Sequence, residues 1–476
     1  MEPFSTNKLF KEEKYEEILA LWRNDEFRNR MTDWDKWYVL LSLNKQKRYQ
    51  ETLDAYKLLR AKRDESSDTN LWQRIEDAVC WALYYAHVKT FDFRQGDSSK
   101  LLKQVDYILT HSSDGTFSAK GKAALFVVDA AEEGKLALEN ASELIIRYLD
   151  AVNPSTLGRE EFEYKDQQGN RRVKAPDREI WYAARAKALL KLQRYGECIA
   201  CCDEALRELR GFHYSNDSWL RYRKAKCLLA LGKPDDAKRC ISEAQARGAH
   251  HWCLSQVLFE IERNGGEHQA ALALGAECAL ADPSHEMRVS FYEDFADYLE
   301  QSGLTHEAAL HRRLVILIRQ ENNWGLKQKH LGWTNLDDVS AMDKAEILKT
   351  LKPLWKEWRS AAKSYLTGVV IRVLPEGGSG FIQDEQGGQY YFNAKDYTHG
   401  KQKPIVDQRV RFTLVDKLDR KKNEVKKNAV DSCGYQYNIS MDVVRDVEEM
   451  FGSVLLCRSN RQETGYLPGL VRRIRR

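Results

Sequence analysis

The sequence predicts a mostly α-helical chain, with a helical-repeat solenoid followed by a small five-stranded β-barrel and a C-terminal helix. Three observations lead there. Two-helix patterns opened by a large aromatic recur at intervals of 38, 33 and 39 residues, within the range that marks repeat architectures. The stretch "TGVVIRVLPEGGSGFIQDEQGGQYYFNAKDY", Thr367 to Tyr397, then turns β-branched, aromatic and dense in glycine. Beyond it "NISMDVVRDVEEMFGSVLL" returns to an amphipathic helical pattern.

The chain has 476 residues, enough for two to four domains at roughly 100–200 residues each. With 43% hydrophobic and 31% charged residues it can bury sizeable cores. No apolar run approaches the ~18 residues that would span a bilayer, so no membrane partner is expected. The start, "MEPFSTNKLFKEEKYEE", lacks the apolar centre of a secretory signal, and a cytoplasmic location is expected. Cys198, Cys201 and Cys202 contain one C-x-x-C on helical flanks, without the second pair that a zinc site requires. They are expected to be small buried helix residues.

Residues 1–153 read as N-terminal helical hairpins. "LFKEEKYEEILALW" is a capping helix or half-repeat, and "DWDKWYVLLSLNKQKRYQETLDAYKLL" is a first two-helix unit with Trp34 and Trp37 in its first helix. Residues 69–153 are helical with a weaker signature and continue the solenoid irregularly. Residues 154–178 are an insertion with Pro, Gly and charge, in which "FEYKDQQGNRRV" can form a hairpin around Gly169. It is either a solvated loop or a contact loop for a partner.

Residues 179–322 hold four aligned units. Trp181, Trp219, Trp252 and Phe291 open them, and a small residue follows 17 or 18 positions later: Cys198, Ala237, Ala270 and Ala308. This pattern resembles the tetratricopeptide repeat. An aromatic fills the groove of a helical hairpin, a small residue lets the helices approach, and each hairpin covers the apolar face of the last. The resemblance implies a protein partner on the solenoid. Residues 323–366 form a linker and a junction helix carrying Pro353, Trp355 and Trp358; the proline is expected to bend it and the aromatics to dock on the solenoid or the β module.

Residues 367–432 read as five short strands, "GVVIRVL", "GFIQDE", "GQYYFN", "QRVRFTLV" and "KKNAVD", separated by Gly-rich or polar turns. Such a set suits a closed barrel of the oligonucleotide-binding type. Residues 433–476 add a helix and a basic tail with four arginines in the last five positions. From Gly368 to Arg476 there are 19 Lys/Arg against 14 Asp/Glu, a net of +5, so the rest of the chain is close to −1. A polyanion would dock on the C-terminal part.

The barrel segment resembles the cold-shock domain. Gly368, Val370, Gly378, Gly380, Phe381 and Ile382 match the family's first half, "YYFN" (Tyr390 to Asn393) its second aromatic motif, and "VDQRVRFTL" and "NAV" its later strands. The resemblance implies single-stranded RNA or DNA, RNA more than DNA, stacked on Phe381 and Tyr391. Arg372 stands where the family has Trp, Ser379 where it has a second aromatic, and Asn393 where it has His. These departures shrink the platform, although a guanidinium can itself stack on a base. Tyr390 and Asn393 complete the candidate surface, and Lys421, Lys422, Lys426 and Lys427, in the basic segment from Asp416 to Lys427, are candidate phosphate contacts.

No phosphate-cradling Gly loop, H-E-x-x-H or G-x-S-x-G motif occurs, so neither enzymatic activity nor a cofactor is expected. Two readings stay open. One is a nucleic-acid-binding adaptor. The other is a protein-interaction scaffold or regulator of an effector enzyme in a stress or defence system, whose barrel keeps only its fold.

Overall fold

The computed structural model describes residues 5–61, 68–115, 118–136, 139–166, 168–249, 251–281, 284–333, 339–375, 378–397, 403–419 and 424–434. The chain divides into two units, Met1–Ala362 and Lys363–Arg476. The first contains α1 (Thr6–Lys11), α2 (Tyr15–Arg23), α3 (Asp25–Arg30), α4 (Asp33–Lys45), α5 (Tyr49–Arg60) and α6 (Thr69–Leu83). A π-turn at Tyr84–Val88 extends α6, and α7 (Ser98–His111), α8 (Ala119–Glu132) and α9 (Ala141–Asp150) follow. After a hairpin of β1 (Phe162–Lys165) and β2 (Arg171–Lys174) come α10 (Asp177–Lys191), α11 (Tyr195–Glu208), α12 (Asn216–Ala230) and α13 (Pro234–Ala246). The unit ends with α14 (Trp252–Gly265), α15 (His268–Leu280), α16 (Val289–Gln301), α17 (Thr305–Glu321), α18 (Gln328–Leu331) and α19 (Lys344–Ala361).

These helices stack as a solenoid. Helices α4, α6, α8, α10, α12 and α14 form one row in which each touches the next, while α5, α11, α13 and α15 pair back onto their predecessors. Of the irregular helices between residues 69 and 153, α6 and α8 belong to this row, while α7 packs on both of them and α9 on α8 and α10. Among the described residues, no helix is long and apolar enough to cross a membrane.

Five hairpins share one local design. Two residues before the second helix the backbone is left-handed, at Lys47 (φ 61), Gln193 (57), Gly232 (71), Gly266 (81) and Gly303 (82). Four positions into that helix lies a small, fully buried residue: Thr52, Cys198, Ala237, Ala271 and Ala308. The left-handed residue reverses the chain, and the small side chain lets the returning helix close onto the first. A side chain at Gly303 would be strained there, so Gly303→Ala is expected to cost about 1–2 kcal/mol. Chemical denaturation of the variant measures it as a lowered midpoint.

This register corrects one position. Ala271, not Ala270, is the small contact residue; Ala270 is only half-buried. Counting from the aromatics misplaced it because they do not occupy equivalent sites. Trp252 is the first residue of α14, whereas Trp181 is the fifth of α10, Trp219 the fourth of α12 and Phe291 the third of α16. The aromatics also reach between hairpins. Trp181 Nε1 donates to the carbonyl of Leu149 at the end of α9 (3.0 Å), and Trp219 meets Trp252 edge to face at 5.4 Å. Phe291 packs against Phe259 and Phe295.

Helix α19 runs through Pro353 and seals the end of this core. Ile347, Leu351 and Trp355, spaced four apart on one face, are fully buried against α15 and α17. Trp355 Nε1 donates to His311 Nε2 at 3.0 Å, and its ring lies parallel to Tyr292. Trp358 is half-buried beside Phe295. Cys198, Cys201 and Cys202 are buried between helices, with Cys198 Sγ donating to the carbonyl of Ala186 at 3.3 Å.

The insertion forms an antiparallel hairpin turning at Gly169 (φ 81). One histidine ties its base to the repeats. His213 reaches Glu179 through Nδ1 at 2.7 Å and Glu161 through Nε2 at 2.8 Å, while Glu179 also accepts the His213 and Asn216 N–H groups. The hydrogen bond to Glu179, then that to Glu161, raises the His213 pKa above its usual value. The charged ring therefore adds stability that is complete below its unfolded value of about 6.5 and is lost as pH rises through the higher folded value. The gap in melting temperature between wild type and His213→Gln is expected to shrink over that rise.

The second unit contains β3 (Leu366–Val373), β4 (Gly380–Asp384), β5 (Gln389–Phe392), β6 (Arg409–Asp419) and β7 (Glu424–Gly434). They close into a barrel in the order β3-β4-β5-β7-β6. Every pair is antiparallel except β5 with β7. Val370, Ile382, Phe392, Val410, Phe412 and Ala429 fill the interior. Gly380 is required by proximity: a Cβ there would collide with the carbonyl oxygen of Arg372 on β3. The expected basic loop is largely ladder, because β6 extends to Asp419 and β7 begins at Glu424, pairing Asp416 with Lys427 and Lys417 with Lys426. The expected tail helix and the terminal arginines lie outside the described residues.

Candidate nucleic-acid interface

The barrel's pairing register assembles one row of outward side chains across five strands. Arg372 on β3 lies opposite Phe381 on β4, Phe381 opposite Tyr391 on β5, Tyr391 beside Asn428 on β7, and Asn428 opposite Val415 on β6. Alternation explains why they face outward. Ile382, Phe392 and Ala429, each one position along from a member of the row, are fully buried.

Phe381 and Tyr391 are half-buried, with ring centroids 5.6 Å apart at 68°. Their arrangement is edge to face rather than stacked, so the two rings do not lie face on face. Arg372 is exposed and has no ion-pair partner among the described residues. It owes its outward direction to an irregularity in the β3–β4 pairing between Val370 and Arg372. Strict alternation from buried Val370 would turn Arg372 inward; the extra residue, Ile371, reverses it.

The remaining candidates are distributed differently. Tyr390 is on the inner side of β5, paired with buried Ile382 and packed against Phe412, and its hydroxyl donates to Asp384 at 3.0 Å. That hydrogen bond, first among the causes, raises its pKa. Tyr390 is therefore removed from the stacking surface. Asn393 shapes the turn after β5: its side-chain oxygen accepts from the Lys395 N–H at 3.2 Å and its carbonyl from the Asp396 N–H at 2.9 Å.

Lys426 shares the face of Asn428 and is paired with Asp419 at 3.1 Å. Lys427 follows the parity of buried Ala429 and projects to the other side of the ribbon, so the two lysines do not act together. Lys417, which the sequence reading did not single out, is tied to Asp396 at 3.0 Å. Lys421 and Lys422 lie outside the described residues.

Sequence reasoning also missed Asn428 and Val415. Their signal was the alternation in "KKNAVD" and "FTLVDK", legible only once a buried position in each strand is known. The assembled surface offers two aromatic rings, a flanking guanidinium and an amide, the groups on which unpaired bases stack and hydrogen-bond.

A family profile described as a domain of unknown function (DUF7017) matches residues 218–358. The match begins in α12 and ends in α19, within the helical unit, and covers under a third of the chain. No curated protein matches the sequence.

Proposed function

We propose that the protein is a non-enzymatic adaptor that holds single-stranded nucleic acid, RNA in preference to DNA, on a cold-shock-like barrel and a protein partner on a tetratricopeptide-like solenoid. The observation that carries this reading is the adjacency of Arg372, Phe381 and Tyr391 in one outward row. The barrel order, with a single parallel pair between its third and fifth strands, is that of the oligonucleotide-binding fold and supports the same reading. The hairpin stacking and the shared turn design support a repeat solenoid of the partner-binding kind.

Binding of a labelled single-stranded RNA to the full chain at two salt concentrations tests the proposal. Binding should weaken as salt rises, with a slope of about −0.7 per phosphate neutralised. No saturable binding at low salt would overturn it.

Specific observations favour a second reading, a protein-interaction scaffold or regulator. Asn393 has a turn-forming role, Tyr390 faces inward, and two barrel lysines are neutralised by Asp396 and Asp419. Purification with a stoichiometric protein and an absorbance ratio free of nucleic acid would select it.

A further inference from the structure

We propose that the N-terminal hairpins carry a separate binding site for a nucleoside phosphate, in the groove between α4 and α6. The groove has a volume of about 630 Å³, within the size range of small-molecule sites. Trp37, Leu41 and Asn44 line it from α4, and Arg74, Ala78 and Trp81 from α6. The spacing in each helix is three or four residues, so one face of each is presented. Helix α4 buries Val39, Leu40 and Leu43 in the core while Trp37 and Leu41 stay part-exposed, which makes it apolar on both sides.

A structural irregularity builds the aromatic wall. The helix widens into the π-turn Tyr84–Val88, a feature that concentrates at functional sites. Tyr85 then stacks between Tyr49, at 5.1 Å and 14°, and Trp81, at 5.7 Å and 21°. Arg74 lies over both Trp34 and Trp37 at 5.8 and 5.5 Å, and the Lys89 ammonium is 5.2 Å from the Tyr85 ring.

Charge selects the ligand. Lys45, Lys47 and Arg74 line the groove and have no ion-pair partner among the described residues. The carboxylate that lines it, Asp77, is engaged by Ser113 through its N–H (2.7 Å) and hydroxyl (2.7 Å) and by the Ser112 hydroxyl. Lys47 has a left-handed backbone at the turn that carries it to the groove. Aromatic rings beside three cations against a single lining carboxylate suit a planar ring bearing a phosphate, with the ring on the aromatic wall and the phosphate on the lysines. A cationic or neutral ligand would leave those charges unused.

Titrate the full chain carrying Phe381→Ala and Tyr391→Ala with AMP, following tryptophan fluorescence and heat. These barrel changes remove the other candidate surface, so the result does not depend on the proposed barrel function. Saturable binding is expected, about tenfold or more weaker in Lys45→Glu/Lys47→Glu, whose exposed lysines can change without disturbing the core. Adenosine should bind far more weakly than AMP. A competing 5′-phosphorylated single strand would identify a strand end as the source, and absence of competition a free nucleotide. The proposal is overturned if AMP does not bind at millimolar concentration, if adenosine binds as well, if charge reversal has no effect, or if an acidic peptide binds where AMP does not.

Discussion

Replacing both Phe381 and Tyr391 with alanine is expected to weaken binding of single-stranded RNA by at least about thirtyfold, since each stacked base is worth roughly 1–3 kcal/mol. The rings are half-buried on the barrel exterior while the core is filled by other residues, so the barrel should remain folded. Far-ultraviolet circular dichroism and a melting curve check this. Arg372→Ala should produce a smaller loss and a shallower salt dependence, because it removes one cation as well as a stacking plane. Equal affinities for wild type and the double variant would exclude this surface as the site. Tyr390→Phe serves as a contrast: its ring faces inward and its hydroxyl serves Asp384, so affinity should hardly change.

Trp355→Ala should destabilise the helical unit by about 3–5 kcal/mol, the range for deleting a large buried aromatic. Trp355 is fully buried, and its loss leaves a cavity among His285, Tyr292 and His311 as well as an unmet acceptor on His311. Trp355→Phe would recover most of the packing but not the hydrogen bond, separating the two contributions in chemical denaturation. The bond requires neutral His311, whose Nδ1 faces the carbonyl of Glu307 at 2.7 Å. Burial lowers its pKa to about 4. The unfolded ring takes up a proton first, so stability should decline as pH falls from about 6.5 towards 4. His285, likewise lowered to about 4 by burial, adds to the same decline.

Much of this organisation was legible because it rests on local rules. Aromatics at intervals of 33–39 residues announced the hairpins, and the change to β-branched residues and glycine at Thr367 announced the barrel. The repeat register was less legible. The left-handed turn position accepts Lys, Gln or Gly, and the small contact position accepts Thr, Cys or Ala, so neither has one signature. The equivalence emerges only from helix starts.

The candidate surface divides in the same way. Periodicity was enough to place Phe381 and Tyr391 on neighbouring strands beside buried residues. It could not place Arg372, whose direction depends on an extra residue in the β3–β4 pairing, or choose Tyr391 over Tyr390. Nor could it foresee that Asp416–Asp419 and Glu424–Lys427 would pair into a ribbon and send Lys426 and Lys427 to opposite sides.

The sequence by itself determined the fold class, the two-part division and the aromatic composition of the barrel surface, because these follow from hydrophobic period and turn chemistry within a short window. Only the tertiary structure decided which aromatic faces out, which cations are paired among the described residues, and that α19 seals the helical core through Trp355. Those outcomes depend on register and on contacts between residues far apart in the chain, for which no local pattern exists.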